Sequence, residues 1–192
     1  MGDYYQDNYL EYHESTVKID PSSFLEPVTQ RLLPSAVILD VGCGSGRDML
    51  WLKQRGFNII GFERSPGLAE LAKKHSGCQI IEDDFEQYDF SGLSVDAIIL
   101  VGALVHVPHN KFQSALENIV RGLKQKGYVL VTMKENMNVP PDLSSERVFY
   151  LWHDRDLRDI FDNLNLIIVD FSRQESKIRA TDVWLGYVLQ KR

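Results

Sequence analysis

Residues 37–48 read VILDVGCGSGRD. Val37, Ile38, Leu39 and Val41 form a short apolar, β-branched run with Asp40 inside it. Glycines follow at 42, 44 and 46, and Met49, Leu50 and Leu52 open a helical pattern at once. A strand that runs through a glycine-rich turn into a helix start is a nucleotide-cofactor device. The glycines permit a tight turn and close backbone approach, and the free N–H groups of the helix start face the ligand. The spacing then bears on which ligand. A dinucleotide fingerprint, G-x-G-x-x-G, needs its third glycine at position 47, where Arg47 stands. The glycines run G-x-G-x-G instead, two residues after Asp40. A glycine turn without a ligand and a dinucleotide site are the alternatives.

Working outward, the flanking pattern alternates strands and helices. Asp20 and Pro21 read as N-cap and first position of a helix to about Leu33, stopped by Pro34. The first strand is expected at 36–41 and a helix at 46–55, with Gly56 just past its end. A second strand at 58–62 leads to Glu63. Ser65 and Pro66 then start a helix to His75, which is expected to face solvent. A short strand at 78–81 precedes Asp84 and Phe85. The unbroken apolar run 95–101, VDAIILV, suits a buried parallel strand. Asn110, with Gln113 three residues on, reads as the cap of the next helix, and 127–133 as a fifth strand. Residues 134–153 form a long loop with two prolines, and a loop of that length is usually functional. A helix from Asp154 to about Leu164 precedes strands at 166–171 and 183–189. The loop between those strands is too short for a crossover helix, so they pair antiparallel.

Length and composition bound the answer. A chain of 192 residues, 44% hydrophobic and 25% charged, fits one soluble domain with a sizeable core. No apolar run approaches a membrane span. The acidic, aromatic start MGDYYQDNYLEYHE is neither a secretory nor a transit peptide, and two cysteines make no disulfide framework, so a reducing cytoplasm is expected. The net charge of −6, with six acidic and one basic side chain in the first 30 residues, argues against nucleic acid as partner.

The segment VILDVGCGSGRD resembles motif I of the class I S-adenosylmethionine (SAM) dependent methyltransferases, and the likeness continues in order to about residue 135. It implies a Rossmann-like α/β fold: a mostly parallel seven-stranded sheet, order 3-2-1-4-5-7-6, with a C-terminal antiparallel hairpin and helices on both faces. It also implies one SAM-binding domain over 1–192, with 1–33 as a helical lid and 134–153 on the substrate side. In the family the glycine loop holds the amino-acid end of SAM, so Asp40, Gly42, Cys43, Gly44 and Arg47 are expected there, Arg47 near the cofactor's carboxylate. Glu63, with Arg64 beside it, falls where a ribose diol is bound, about 20 residues past the loop. Asp84 and Phe85 fall where the adenine is held, and Val101 ends the strand beside it. Tyr12 belongs to a lid whose aromatic faces can stabilise the sulfonium cation.

His106 follows the strand-4 exit, where ligands of open α/β sheets sit. It is either a packed histidine shaping the pocket or a general base, its imidazole titrating near neutrality. Arg147, Tyr150 and Trp152 are the expected substrate-side residues, and no metal is expected. The activity implied is transfer of a methyl group from SAM to a small-molecule acceptor by in-line displacement, releasing S-adenosylhomocysteine (SAH). The alternative is a SAM-binding regulatory module or non-catalytic partner subunit.

Overall fold

The computed structural model describes residues 4–137, 147–176 and 182–192. The expected 134–153 loop therefore falls partly outside the described residues, at 138–146. Seven strands form one sheet: β1 (Val37–Val41), β2 (Asn58–Glu63), β3 (Gln79–Glu82), β4 (Val95–Val101), β5 (Leu123–Lys134), β6 (Leu166–Glu175) and β7 (Val183–Lys191). Their spatial order is β3-β2-β1-β4-β5-β7-β6, as the resemblance implied. β1 to β5 are parallel, and β7 runs antiparallel to both β5 and β6.

The helices are α1 (Tyr4–Asp7), α2 (Tyr9–Thr16), α3 (Ser22–Thr29), α4 (Arg47–Lys53), α5 (Pro66–Ser76), α6 (His109–Ile119) and α7 (Asp154–Asn163). Strand alternation sorts the core into two layers. Leu39, Val41, Ile98, Leu100, Val129 and Val131 meet Phe112 and Ile119 of α6 and Leu157 and Phe161 of α7. Their neighbours Ile38, Ala97, Ile99 and Leu130 meet α3, α4 and α5 through Leu25, Val28, Met49, Leu52 and Ala72. With helices on both faces, the sheet's strand order reverses between β1 and β4, and the crevice at their carboxyl ends is the ligand position of such sheets. Among the described residues no helix is long and apolar enough to cross a membrane.

Several local expectations are corrected. α3 ends at Thr29, not near Leu33, and carries Pro27 inside it; Pro21 is its N-cap, one place later than expected. Asp20 still serves that end, its carboxylate accepting from the Ser22 N–H at 3.0 Å. Asn110 is not the cap of α6. Pro108, with extended ψ of 145°, is the N-cap, so the helix begins at His109. β5 starts at Leu123, four residues before Gly127, because Leu123 already pairs with Val95. His75 is half-buried, its ring 6.2 Å from that of His13 on α2.

A side-chain hydrogen bond ties the C-terminal hairpin to α7. The buried Tyr187 hydroxyl donates to Asp154 Oδ1 at 2.6 Å. Burial pushes the Asp154 carboxyl up, but hydrogen bonds from Tyr187 and Arg158 and the Arg158 charge outweigh it and hold the group below its ordinary value. Asp154 is part-exposed, so Tyr187→Phe is expected to cost only about 1 kcal/mol at neutral pH. A depressed folded-state pKa contributes stability above the unfolded value, near 4, and loses it as pH falls through the folded value. Urea unfolding should show wild type and variant about 1 kcal/mol apart at neutral pH, and nearly equal once the carboxyl is protonated.

Candidate active site

The loop after β1 is built by its glycines. Gly42, Gly44 and Gly46 all have positive φ, at 69°, 52° and 74°, which L side chains adopt only with strain. Their side-chain space is already filled by the protein. A Cβ on Gly42 would lie 2.9 Å from Ala103 Cβ, and one on Gly44 would lie 3.1 Å from the Tyr12 ring. The Gly42 and Cys43 N–H groups donate back to the Phe62 carbonyl at 2.8 and 3.1 Å. Glu63, at the end of β2, closes the other side: one carboxylate oxygen accepts from Gly44 N–H and the other from Ser65 N–H, each at 2.9 Å. Burial raises the Glu63 carboxyl, with the backbone hydrogen bonds opposing.

Beneath the loop, Asp40 is 2% exposed, and its Oδ2 is a buried oxygen with no hydrogen-bond partner among the described residues. Burial, and then the Asp48 charge, push its carboxyl well above the usual range. Arg47 is engaged by its neighbour: Nε donates to Asp48 Oδ1 at 2.6 Å. Cys43 is buried, and burial raises its thiol well above the ordinary value, so it is held protonated and inert as a nucleophile.

Two adjoining cavities open above these residues. The one at the glycine loop, about 480 Å³, is lined by Gly42, Gly44, Glu63, Arg64, Asp84, Phe85, His106 and Tyr150 among others. Arg64 lies 3.5 Å from Asp84 across its rim. The second, about 360 Å³, lies between the α2–α3 segment and the carboxyl ends of β4 and β5; Arg47, Lys134, Phe149, Asp182 and Trp184 line it. Tyr4, Tyr5, Tyr12, Val101, Gly102 and Arg147 border both cavities. The predicted residues Tyr12, Gly42, Gly44, Glu63, Arg64, Asp84, Phe85 and Val101 are thus brought together, with Asp40 and Cys43 packed under the loop. Arg47 lines the second cavity alone.

On the substrate side, Arg147 borders both cavities, but Tyr150 lines only the one at the loop. Trp152 lines neither: it is 5% exposed and packs on Phe112 and His109. Its segment is drawn inward by backbone pairing, Trp152 N–H to the Lys134 carbonyl at 2.9 Å and Tyr150 N–H to the Val105 carbonyl at 2.8 Å.

His106 sits at the strand-4 exit as expected, with both ring nitrogens engaged. Nδ1 lies 2.5 Å from the Val148 carbonyl and Nε2 lies 2.7 Å from the Tyr5 hydroxyl. At spacings of four and three, Tyr5, Tyr9 and Tyr12 would share one face of a continuous helix. The chain breaks at Asn8 between α1 and α2, and Tyr9 instead packs over Gly67. Lys134 was missed. It is 8% exposed, its ammonium 2.5 Å from Asp182 and 3.8 Å above the Phe149 ring. The available signal was a lysine continuing the apolar run GYVLVTM at a strand's carboxyl end.

The sequence pattern of the methyltransferase domain matches residues 38–127. A thiopurine S-methyltransferase from Nitrosospira multiformis is 37% identical over 54 residues, 27% of this chain and 24% of that protein. A tRNA (carboxymethyluridine(34)-5-O)-methyltransferase from Arabidopsis thaliana is 34% identical over 103 residues, 53% of this chain and 25% of that protein. The chain thus spans about a quarter of the length of these two relatives. The crystal structure of a 1,6-didemethyltoxoflavin-N1-methyltransferase from Burkholderia thailandensis, with its namesake compound and SAH bound, superposes with a TM-score of 0.74. It is 20% identical, over 96% of this chain and 85% of that one. At that identity the likeness is one of fold. The matched pattern covers the glycine loop, Glu63 and the strand-4 exit, and the strand order is the one that the resemblance to class I methyltransferases implied.

Proposed function

We propose that the chain is a SAM-dependent methyltransferase that acts on a small-molecule acceptor. The observation that carries this is the pair of adjoining cavities at the carboxyl ends of β1 and β4, one at the glycine loop and one walled by aromatic and charged side chains. The residues fit the cofactor. The partnerless Asp40 Oδ2 beneath the loop suits a cationic amino group, Glu63 retains lone pairs for a ribose diol, and Asp84 with Phe85 edges the far end. SAM supplies an electrophilic methyl group on a sulfonium, and the protein's part is to hold donor and acceptor in line and dry. Positioning of that kind contributes roughly 7–11 kcal/mol to rate enhancements.

The second cavity, about 360 Å³, is of small-molecule size. Its walls favour such an acceptor over RNA. Glu11, Asp20, Glu175 and Asp182 line it together with Arg47, Lys134 and Arg147, and the cations are offset within the site, Arg47 by Asp48 and Lys134 by Asp182. A phosphate backbone needs a basic footprint. The test is release of SAH from SAM in the presence of a panel of phenols, thiols, amines and carboxylic acids, with unmodified tRNA alongside. Turnover of at least one small compound is expected. Turnover of tRNA alone would overturn the acceptor class, and binding without turnover of anything would favour the regulatory-module reading.

A further inference from the structure

We propose that the Tyr5 hydroxyl is the group that receives the acceptor's proton during methyl transfer, with His106 as the second station behind it. The inference rests on the methyl-transfer reading above and adds a residue and a proton path to it. The geometry is a chain of three groups. The Val148 carbonyl can only accept, so His106 Nδ1 donates to it, over 2.5 Å. That fixes the tautomer of the neutral ring and makes Nε2 an acceptor. The Tyr5 hydroxyl, 2.7 Å from Nε2, donates to it.

Position decides the roles. Tyr5 borders both cavities, whereas His106 borders only the one at the glycine loop. The imidazole is reached from the second cavity through the phenol. Tyr5 is held in place on both sides. Its ring meets those of Tyr12 at 5.0 Å and His106 at 5.4 Å, both edge-on, and its carbonyl accepts from the Ser65 hydroxyl at 3.0 Å. Arg147 also hydrogen-bonds the Tyr5 side chain. A phenolic oxygen that donates one proton has two lone pairs, so Arg147 and an acceptor X–H can both be accommodated. Burial raises the Tyr5 hydroxyl above its ordinary value, with Arg147 opposing, so the resting phenol keeps its own proton and passes it on only as it takes another.

The step balances. The acceptor's lone pair forms the bond to the methyl carbon, and the carbon–sulfur pair returns to sulfur. The acceptor's X–H proton moves to the Tyr5 oxygen while the Tyr5 proton moves to His106 Nε2. One cation, the sulfonium, disappears as another, the imidazolium, forms, so the net charge of the water-poor site is unchanged. The device suits acceptors that must shed an O–H or N–H proton. An acceptor that arrives as an anion, such as a thiolate, has no use for it.

Two experiments decide. In the SAH-bound protein labelled with ¹⁵N-histidine, NMR should find the neutral His106 ring protonated on Nδ1, with the Nε2 signal displaced in Tyr5→Phe. A ring protonated on Nε2 would overturn the relay whatever the acceptor. In kinetics, Tyr5→Phe should lower kcat about 100-fold on a phenol or amine from the panel, in the range that one general base contributes, with SAH affinity within threefold of wild type. Turnover of a thiophenolate should fall at least tenfold less than turnover of the phenol. Equal losses on the phenol and the thiophenolate, or no loss on the phenol, would overturn the proposal. Wild-type protein that binds no SAH, or turns over nothing, counts against the methyl-transfer reading instead, and the tautomer still decides whether the relay is in place.

Discussion

Glu63→Ala is expected to weaken SAH binding by about 100- to 1000-fold. The carboxylate sits at the carboxyl end of β2, 8% exposed, and its two oxygens accept from Gly44 N–H and Ser65 N–H at 2.9 Å each. Each oxygen retains a lone pair toward the cavity at the loop, which is where a ribose diol is bound in the proposed complex. Hydrogen bonds to a charged group contribute about 1.5–3 kcal/mol each; two at the low end of that range, as suits a cavity open to water, remove roughly 3–4 kcal/mol, and each 1.4 kcal/mol is a factor of ten. The same change leaves the buried Gly44 and Ser65 N–H groups without acceptors, so a lower Tm accompanies the loss. Calorimetric titration with SAH checks the figure, and an affinity within threefold of wild type would remove Glu63 from the site.

Gly46→Ala should have the largest effect on stability. The residue is the N-cap of α4 with φ of 74°, a conformation that costs an L side chain about 1–2 kcal/mol. A Cβ there would also lie 2.8 Å from Ala72 Cα and 2.9 Å from the Ala72 carbonyl oxygen. Both are backbone atoms of α5, which cannot yield as a side-chain end can. Overpacking of that kind costs about 1–3 kcal/mol. The sum, roughly 2–5 kcal/mol, corresponds to a fall in Tm of about 5–15 °C for a chain of this size. Gly92→Ala is the internal control: a Cβ there meets nothing within 4 Å, and φ is not positive. If the two variants melt together, the close approach of α5 to the loop is not what the glycine serves.

These two residues also mark what the sequence could and could not tell. The strand–glycine–helix pattern and an acid about 20 residues on were readable, because turn chemistry and strand ends are local. So was the antiparallel end of the sheet, from the shortness of the last connection. What Gly46 makes room for was not readable, since α5 comes back to it only in the folded chain. Trp152 looked like a pocket residue because aromatic residues clustered in a loop; backbone pairing with β5 turns it into the core against Phe112. Arg47 was expected near the cofactor's carboxylate from its place in the loop. Its partner is Asp48, the next residue, a pairing the sequence equally allowed. Asn110 had cap chemistry, but Pro108 fixed the helix start two residues earlier. His106 was placed correctly by the strand-end rule, whereas the hydroxyl beside it comes from a segment 101 residues away.

The measurement that tests the central claim most directly is thermal unfolding of the chain with SAM, SAH, NAD and no addition. At a concentration about 100 times its Kd, a ligand bound only by the folded state adds about 2.7 kcal/mol, a rise of about 5–10 °C here. The account predicts that rise with SAM and with SAH and none with NAD. No rise with either sulfur compound, or an equal one with NAD, would contradict it.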